Sequence, residues 1–319
     1  MSVTFEQLVQ RRGMNLGDSG FRIGLIGAAS VVLIALGAIL VIMFSGGRLA
    51  FETFGLGFIT STDWDPVNLK YGALPAITGT LITSVLALLI AWPIGFGIAF
   101  FLTEVCPRRL RTPLGVAIEL LAAIPSIVYG MWGFFVLAPF MASTVEPWLT
   151  EVFGFIPPTG DFFWFQAPPI GVGLLTGALV LAIMILPFIA ATTRDVLLTT
   201  PQLLKDGAYA MGATRWEALT SVVIPAVRGS LFGAVFLGLG RALGETMAVV
   251  FVIGNATRMP DSVFAPSTTI AATVANNFAE TEPGTIQQGV LLALGFILFV
   301  VSFGALAVAR LLLRQERLA

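Results

Sequence analysis

The chain has 319 residues, 57% of them hydrophobic and 11% charged, and a formal net charge of −1. Its mean hydropathy of +0.94 lies outside the range of soluble globular chains. Histidine is absent and Cys106 stands alone, which excludes histidine metal sites, imidazole proton relays and intrachain disulfides. Neither lysine, Lys70 nor Lys205, follows a glycine, so no G-x-x-x-x-G-K phosphate loop exists in these residues and no cofactor is expected.

Apolar runs of roughly 20 residues suffice to cross a bilayer. They predict six membrane spans, at 21–44, 74–103, 113–141, 168–193, 226–253 and 285–313. The first is too long for a signal-peptide core and reads as a retained anchor. The expected organisation is an N-terminal segment 1–20, the first span, a loop at 45–73, a five-span core at 74–313 and a tail at 314–319. Lys and Arg then give the orientation. The N-terminal segment, up to the first residues of span one, holds Arg11, Arg12 and Arg22, and Arg108, Arg109 and Arg111 follow span two. Arg194, Lys205, Arg215 and Arg228 follow span four, and Arg310, Arg314 and Arg317 end the chain. The alternate loops hold Arg48, Lys70 and Arg258. The positive-inside rule places both termini in the cytoplasm and 45–73 outside it. Residues 146–165 carry seven aromatics and no Lys or Arg. They read as an interfacial belt, with a lid over an entrance as the alternative.

The polar loop at 194–225 has readable local chemistry. Thr200 and Pro201 fit an N-cap and a first helical position. Gly212 suits a left-handed helix terminus. Thr214 and Glu217 have the spacing of a capping box, and Pro225 marks the passage into span five. Two short helices at a glycine corner are predicted, a shape suited to docking, although a surface helix pair with no partner has the same pattern.

The run Asp206-Gly207-Ala208, three residues, Gly212, nine residues and Val222-Val223-Ile224-Pro225 resembles the "EAA" loop of binding-protein-dependent ABC importer permeases. It departs from that pattern at Asp206 and Gly207, and glycine in a helix costs roughly 1 kcal/mol relative to alanine. The stretches beginning at Trp64, Ile118, Leu174 and Gly238, above all "GLGRALGETMAVVFVIGN", are similar to the phosphate-specific branch, the PstC type. The resemblance implies an all-α integral membrane protein of the type I, MetI-like permease fold. It also implies a phosphate importer of a bacterial or archaeal inner membrane, with ATP hydrolysis in a separate chain. The implied partners are a second permease (PstA type), two ATP-binding subunits (PstB type) and an extracytoplasmic phosphate-binding protein (PstS type). Asp206, Ala208, Gly212 and Ala213 are implied to contact the ATPase. A sulfate or molybdate permease is the nearest alternative within the class. A self-sufficient secondary transporter, or a scaffold or sensor, is the alternative outside it, but no internal repeat supports the former.

Within span five, Arg241 and Glu245 lie four residues apart, one helical turn and one face. Measured from Arg228, Arg241 is about 20 Å along the helix, past the middle of a hydrocarbon core about 30 Å thick. Insertion of such a charge costs about 2.5–3.5 kcal/mol, so the pair is expected to face protein or water. Two readings remain open at this point: an intrahelical ion pair, or a phosphate filter. In the filter, Arg241 presents its planar fork to the oxyanion while Glu245 orients it and limits how tightly the anion is held. Gly229, Gly233, Gly240 and Gly244 form a stripe suited to close helix packing. Glu119, expected in span three, is a third intramembrane charge that either lines the exit or is structural.

Overall fold

The computed structural model describes residues 16–160 and 162–315. The segments 1–15 and 316–319, with Arg11, Arg12 and Arg317, lie outside the described residues. Among the described residues, six helical rods are long and apolar enough to cross a membrane: Gly20–Phe54, Leu74–Val105, Ser126–Phe153, Leu174–Leu198, Arg215–Leu243 and Ile286–Val308.

Span one is α1 (Leu16–Phe54), which runs ten residues past the C-terminal end of the hydropathy run. Residues 20–39 are exposed along their whole length. Packing on the last span begins at Met43 and Phe44, against Gly295 and Phe296, and is closest at Gly46 and Gly47, where a side chain would collide with Leu292 and with the backbone of Ala293. The chain then turns through α2 (Gly57–Thr60) into a hairpin of β1 (Trp64–Asp65) and β2 (Lys70–Tyr71), antiparallel with Trp64 opposite Tyr71. Phe54, Trp64 and Tyr71 stack edge to face above the last span. This is called the hairpin end of the bundle.

Span two is α3 (Leu74–Phe100), extended by a wide π turn at Phe101–Val105. It packs lengthwise on α8 (Leu174–Leu198), the most buried rod. Lipid is as apolar as leucine, so membrane helices associate through close van der Waals packing, for which small residues are needed. Gly95 supplies this on α3, its missing side chain leaving room for Ile189. The core follows from that contact: Ala87 and Ala91 face Leu181, Ile185 and Ile189, all fully buried or nearly so.

The third span differs from its expected position. Residues 108–122 form a separate amphipathic helix, α4 (Arg108–Ala122), and the chain corners at Ala123–Pro125. The rod begins at α5 (Ser126–Trp132) and runs through π turns at Gly133–Leu137 and Met141–Val145, with α6 (Ala138–Phe140) between them, into α7 (Glu146–Phe153). Pro125 has no N–H to donate and biases Ile124 away from helical geometry. Tyr129 closes the corner by donating to the Leu121 carbonyl at 2.9 Å.

The polar loop contains α9 (Gln202–Ala210) and α10 (Arg215–Ala218), as expected, and it defines the loop end of the bundle. Gly212 has φ +88°. The amides of Gly212 and Ala213 reach back to the carbonyls of Tyr209 and Ala208, the paired bonds of a Schellman terminus. Thr214 and Glu217 make both arms of the capping box. The cap at Thr200 is not formed: α9 starts one residue later behind Pro201, and the Thr200 hydroxyl is buried without a partner. Nor does Pro225 divide loop from membrane. A π turn at Leu219–Val223 joins α10 to α11 (Ile224–Leu243), making one rod with Pro225 in the first turn of its second part.

Span five ends early. The helix stops at Leu243, residues Gly244–Thr246 are non-helical, and a short α12 (Met247–Val252) follows. A loop then leads to α13 (Ile270–Asn277) and α14 (Ile286–Gln315), the last span. That loop is fastened at the hairpin end by backbone bonds from Leu174 to Ala265 and from Leu175 to Val263.

Candidate functional site: the break in span five

The sequence R-A-L-G-E-T is a helix break. Gly244 ends α11 with φ −92° and ψ 0°, and Glu245 turns its carboxylate forward to accept the amide of Ala248 at 3.2 Å. An acidic side chain bonding a free amide of the next helix is a capping interaction. Glu245 therefore serves α12 and not Arg241. Among the described residues no hydrogen bond or ion pair involves the Arg241 side chain, so the ion-pair reading is overturned. The physical reason is the break itself: four residues bring two side chains together only in an uninterrupted helix.

Arg241 sits on the last turn of α11, where the negative end of the helix dipole favours a cation. Its side chain is exposed, and so are Leu237 one turn before it and Gly244 and Met247 after it, whereas Ala242 and Leu243 beside it are buried. The break thus lies on a stripe of span five that this chain leaves uncovered. Non-helical backbone and a guanidinium at membrane depth are tolerated only where protein or water faces them.

The glycine stripe behaves differently from its expectation. Gly229 and Gly233 meet nothing within 4 Å, and Gly240 only touches Leu306. The close approach of span five to the core is made by Gly238, where a Cβ would stand 2.8 Å from Ile189. Gly130 and Gly133 of span three likewise make room for α12 and for Val180 and Val252.

Glu119 is not in span three. It lies on α4, half exposed, and accepts from Arg194 of α8 at 2.7 Å; Arg194 also bonds Asp195 at 2.9 Å. Gly115, one turn earlier, leaves space for that guanidinium. The intramembrane placement came from counting along a single helix, which the corner at Pro125 divides.

At the loop end, Asp206 is exposed and accepts from Gln202 at 3.0 Å, Ala208 and Ala213 are half-buried, and Gly212 is exposed. Leu203 and Met211 project beside them, 81% and 89% exposed. Two residues that sequence reasoning did not single out lie beneath: Lys205 and Glu104, paired at 2.5 Å with side chains 8% and 11% exposed. The signal available was a lysine directly after two leucines in a polar loop. A further buried charge, Glu146, accepts the Gly171 amide at 3.0 Å. The aromatic stretch that follows it folds back on the bundle through bonds from Phe163 to the Asp261 carbonyl and from Val263 to the Trp164 carbonyl. There Phe162 and Trp164, with Leu81 and Val85 of span two, line an open pocket of about 480 Å³.

Comparison with known proteins agrees with this architecture. Residues 91–317 match the family described as "Binding-protein-dependent transport system inner membrane component". A Mesorhizobium japonicum protein named "Phosphate transport system permease protein PstC" is 54% identical over 95% of this chain and 92% of its own. A protein of the same name from Pasteurella multocida is 50% identical over 90% of this chain and 88% of its own. Among solved structures, a chain of a bacterial alginate ABC transporter, in complex with an alginate-bound periplasmic protein, superposes with a TM-score of 0.61 at 18% identity. That match covers 94% of this chain and 98% of the other. The MetNI methionine transporter superposes with a TM-score of 0.52, also at 18% identity, over 74% of this chain and 93% of its own. These two likenesses establish the fold, the MetI-like permease fold of six spans. The chain belongs to the binding-protein-dependent transport permeases, on the branch of the PstC proteins.

Proposed function

We propose that the chain is one of two permease subunits of an ATP-driven importer of inorganic phosphate, and that the break in span five is its contribution to the anion path. The observation that carries the site is the exposed Arg241, without a side-chain partner among the described residues, at the break that ends an apolar rod. An unpaired guanidinium offers a planar fork of N–H donors that matches two oxygens of a tetrahedral oxyanion, and its charge does not titrate away. Discontinuous helices near the membrane midplane mark substrate sites in many transporters. Glu245 holds the turn on which Arg241 stands, and its negative charge keeps the anion from being retained. The substrate class rests on the relatives, which are named for phosphate transport.

The uncovered stripe at Leu237, Arg241 and Gly244 faces a second permease of the PstA type across the path. The loop end faces the cytoplasm and, through Asp206, Ala208, Gly212 and Ala213, meets one of two PstB-type ATPase subunits, where ATP is hydrolysed. The hairpin end faces the PstS-type binding protein. Both termini are cytoplasmic, and the membrane is a bacterial inner membrane. Glu119 has a structural role on this reading, holding α4 to span four.

The test is radiolabelled phosphate uptake by the reconstituted importer, with Arg241→Gln beside the native chain. Losing charge-assisted bonds to the anion is expected to lower uptake about tenfold to a hundredfold, while assembly and ATP hydrolysis persist. Native uptake in that variant would remove Arg241 from the path.

A further inference from the structure

Three cations from three different elements converge on the last turn of span two. Lys205 of α9 pairs with the Glu104 carboxylate at 2.5 Å. Arg215 of α10 donates to the Glu104 carbonyl at 3.2 Å, and Arg111 of α4 donates to the Thr103 carbonyl at 2.6 Å. Carbonyls at a helix C-terminus lack intrahelical partners and carry the negative end of the dipole, so cationic donors complete them. The turn they grip is the π turn Phe101–Val105, and Trp216 of α10 closes edge-on against Phe100 at 5.7 Å beside it.

Lys205 is the one buried residue of α9; its neighbours Leu203, Leu204 and Asp206 are exposed. A surface helix is ordinarily held by an apolar stripe, a contact that can slide. Here the helix is held by an ion pair shielded from water. Such pairs add little net stability, because desolvation offsets the attraction, and their best-attested use is to fix one register. Span two, in turn, is packed lengthwise on span four, and α4 is fastened to span two by Arg111 and to span four by Arg194. A displacement of α9 transmitted through Glu104 therefore moves spans two and four and α4 together.

We propose that the Glu104–Lys205 pair is the drive linkage of this subunit, the contact through which motion of the docking corner is delivered to the transmembrane bundle. This rests on reading α9 and α10 as the ATPase-docking corner. Lys205 and Glu104 are positioning residues: they touch neither phosphate nor nucleotide, and they set how much transport each hydrolysis event drives.

The experiment uses the complete importer in proteoliposomes and measures radiolabelled phosphate taken up per ATP hydrolysed. Removing one partner leaves a buried charge unpaired and endangers folding, so the informative variant is the neutral double Glu104→Gln with Lys205→Met. It is expected to assemble and hydrolyse ATP within about twofold of native, while phosphate per ATP falls about tenfold or more. The reversed pair, Glu104→Lys with Lys205→Glu, is expected to recover most of that ratio. Native stoichiometry in the neutral variant overturns the proposal. Failure of both double variants to assemble also overturns it, since the pair is then an element of folding. A cross-link from Ala213→Cys to a cysteine on the ATPase, in a Cys106→Ser background, separates the two layers. If it does not form with the pair intact, the docking reading itself falls. If it forms and the ratio is unmoved, the linkage alone is wrong.

Discussion

Arg241 and Glu245 show how a motif changes meaning with one backbone event. In an unbroken helix they would neutralise each other. Because α11 ends at Leu243, Glu245 caps α12 and Arg241 is left to face what the chain does not supply. This separates two contributions of Glu245. Glu245→Gln keeps an oxygen to accept the Ala248 amide but loses the charge. It is expected to melt at the native temperature while holding phosphate longer and turning over more slowly, as read by binding and uptake on the same preparation. Glu245→Ala loses the cap as well and is expected to cost about 1 kcal/mol of stability, visible as a lower melting midpoint. Equal melting of the two variants would show that the cap contributes nothing.

The elements show where sequence patterns carry and where they stop. The glycine corner was legible because Gly212, Thr214 and Glu217 act through local geometry, and local geometry is what spacing encodes. Gly212→Ala is expected to destabilise the corner by about 1–2 kcal/mol, the steric cost of a left-handed L-residue. Gly212→Asn should cost less, and thermal unfolding of the purified chain in detergent ranks the two. The number of spans was legible as well, since each apolar run is its own signal. The breaks were not. Hydropathy sums side chains and is blind to a corner such as Ala123–Pro125, so Glu119 was assigned to the wrong rod. Residues Gly244–Thr246 look like three ordinary helix positions until α12 packs Ala248, Val249 and Val252 into the core. Long-range choices were likewise hidden. Gly238 and not the Gly229–Gly233 pair meets the core, because the position of Ile189, some fifty residues earlier in the chain, decides which glycine is needed.

For the whole molecule, the bundle is asymmetric in what it completes by itself. Span four is enclosed, whereas the first half of α1 and the Arg241 stripe are bare. The orientation of the chain in the membrane is testable without the partners proposed for it. Single cysteines at Met211 and Phe155, 89% and 81% exposed at opposite ends, in a Cys106→Ser background, are expected to react with a membrane-impermeant maleimide from opposite sides. In intact cells stripped of the outer membrane, Phe155→Cys should label and Met211→Cys should not. The reverse pattern would invert the topology that the arginine distribution implies.

The π turn at Leu219–Val223 has a consequence for heredity. A π turn holds one residue more than the α-helical turn it replaces, and each residue rotates a helix by about 100°. Deleting one codon there would heal the turn into a regular helix and leave span five apolar, continuous and insertable. Because the wide turn already absorbs that residue, this deletion would leave Arg241 on nearly the same face of the rod, whereas deleting a residue from the regular part of α11 would swing it about a quarter-turn away from the uncovered stripe. The two alleles would read alike by hydropathy, length and composition, yet only the second would give a pore whose arginine points the wrong way.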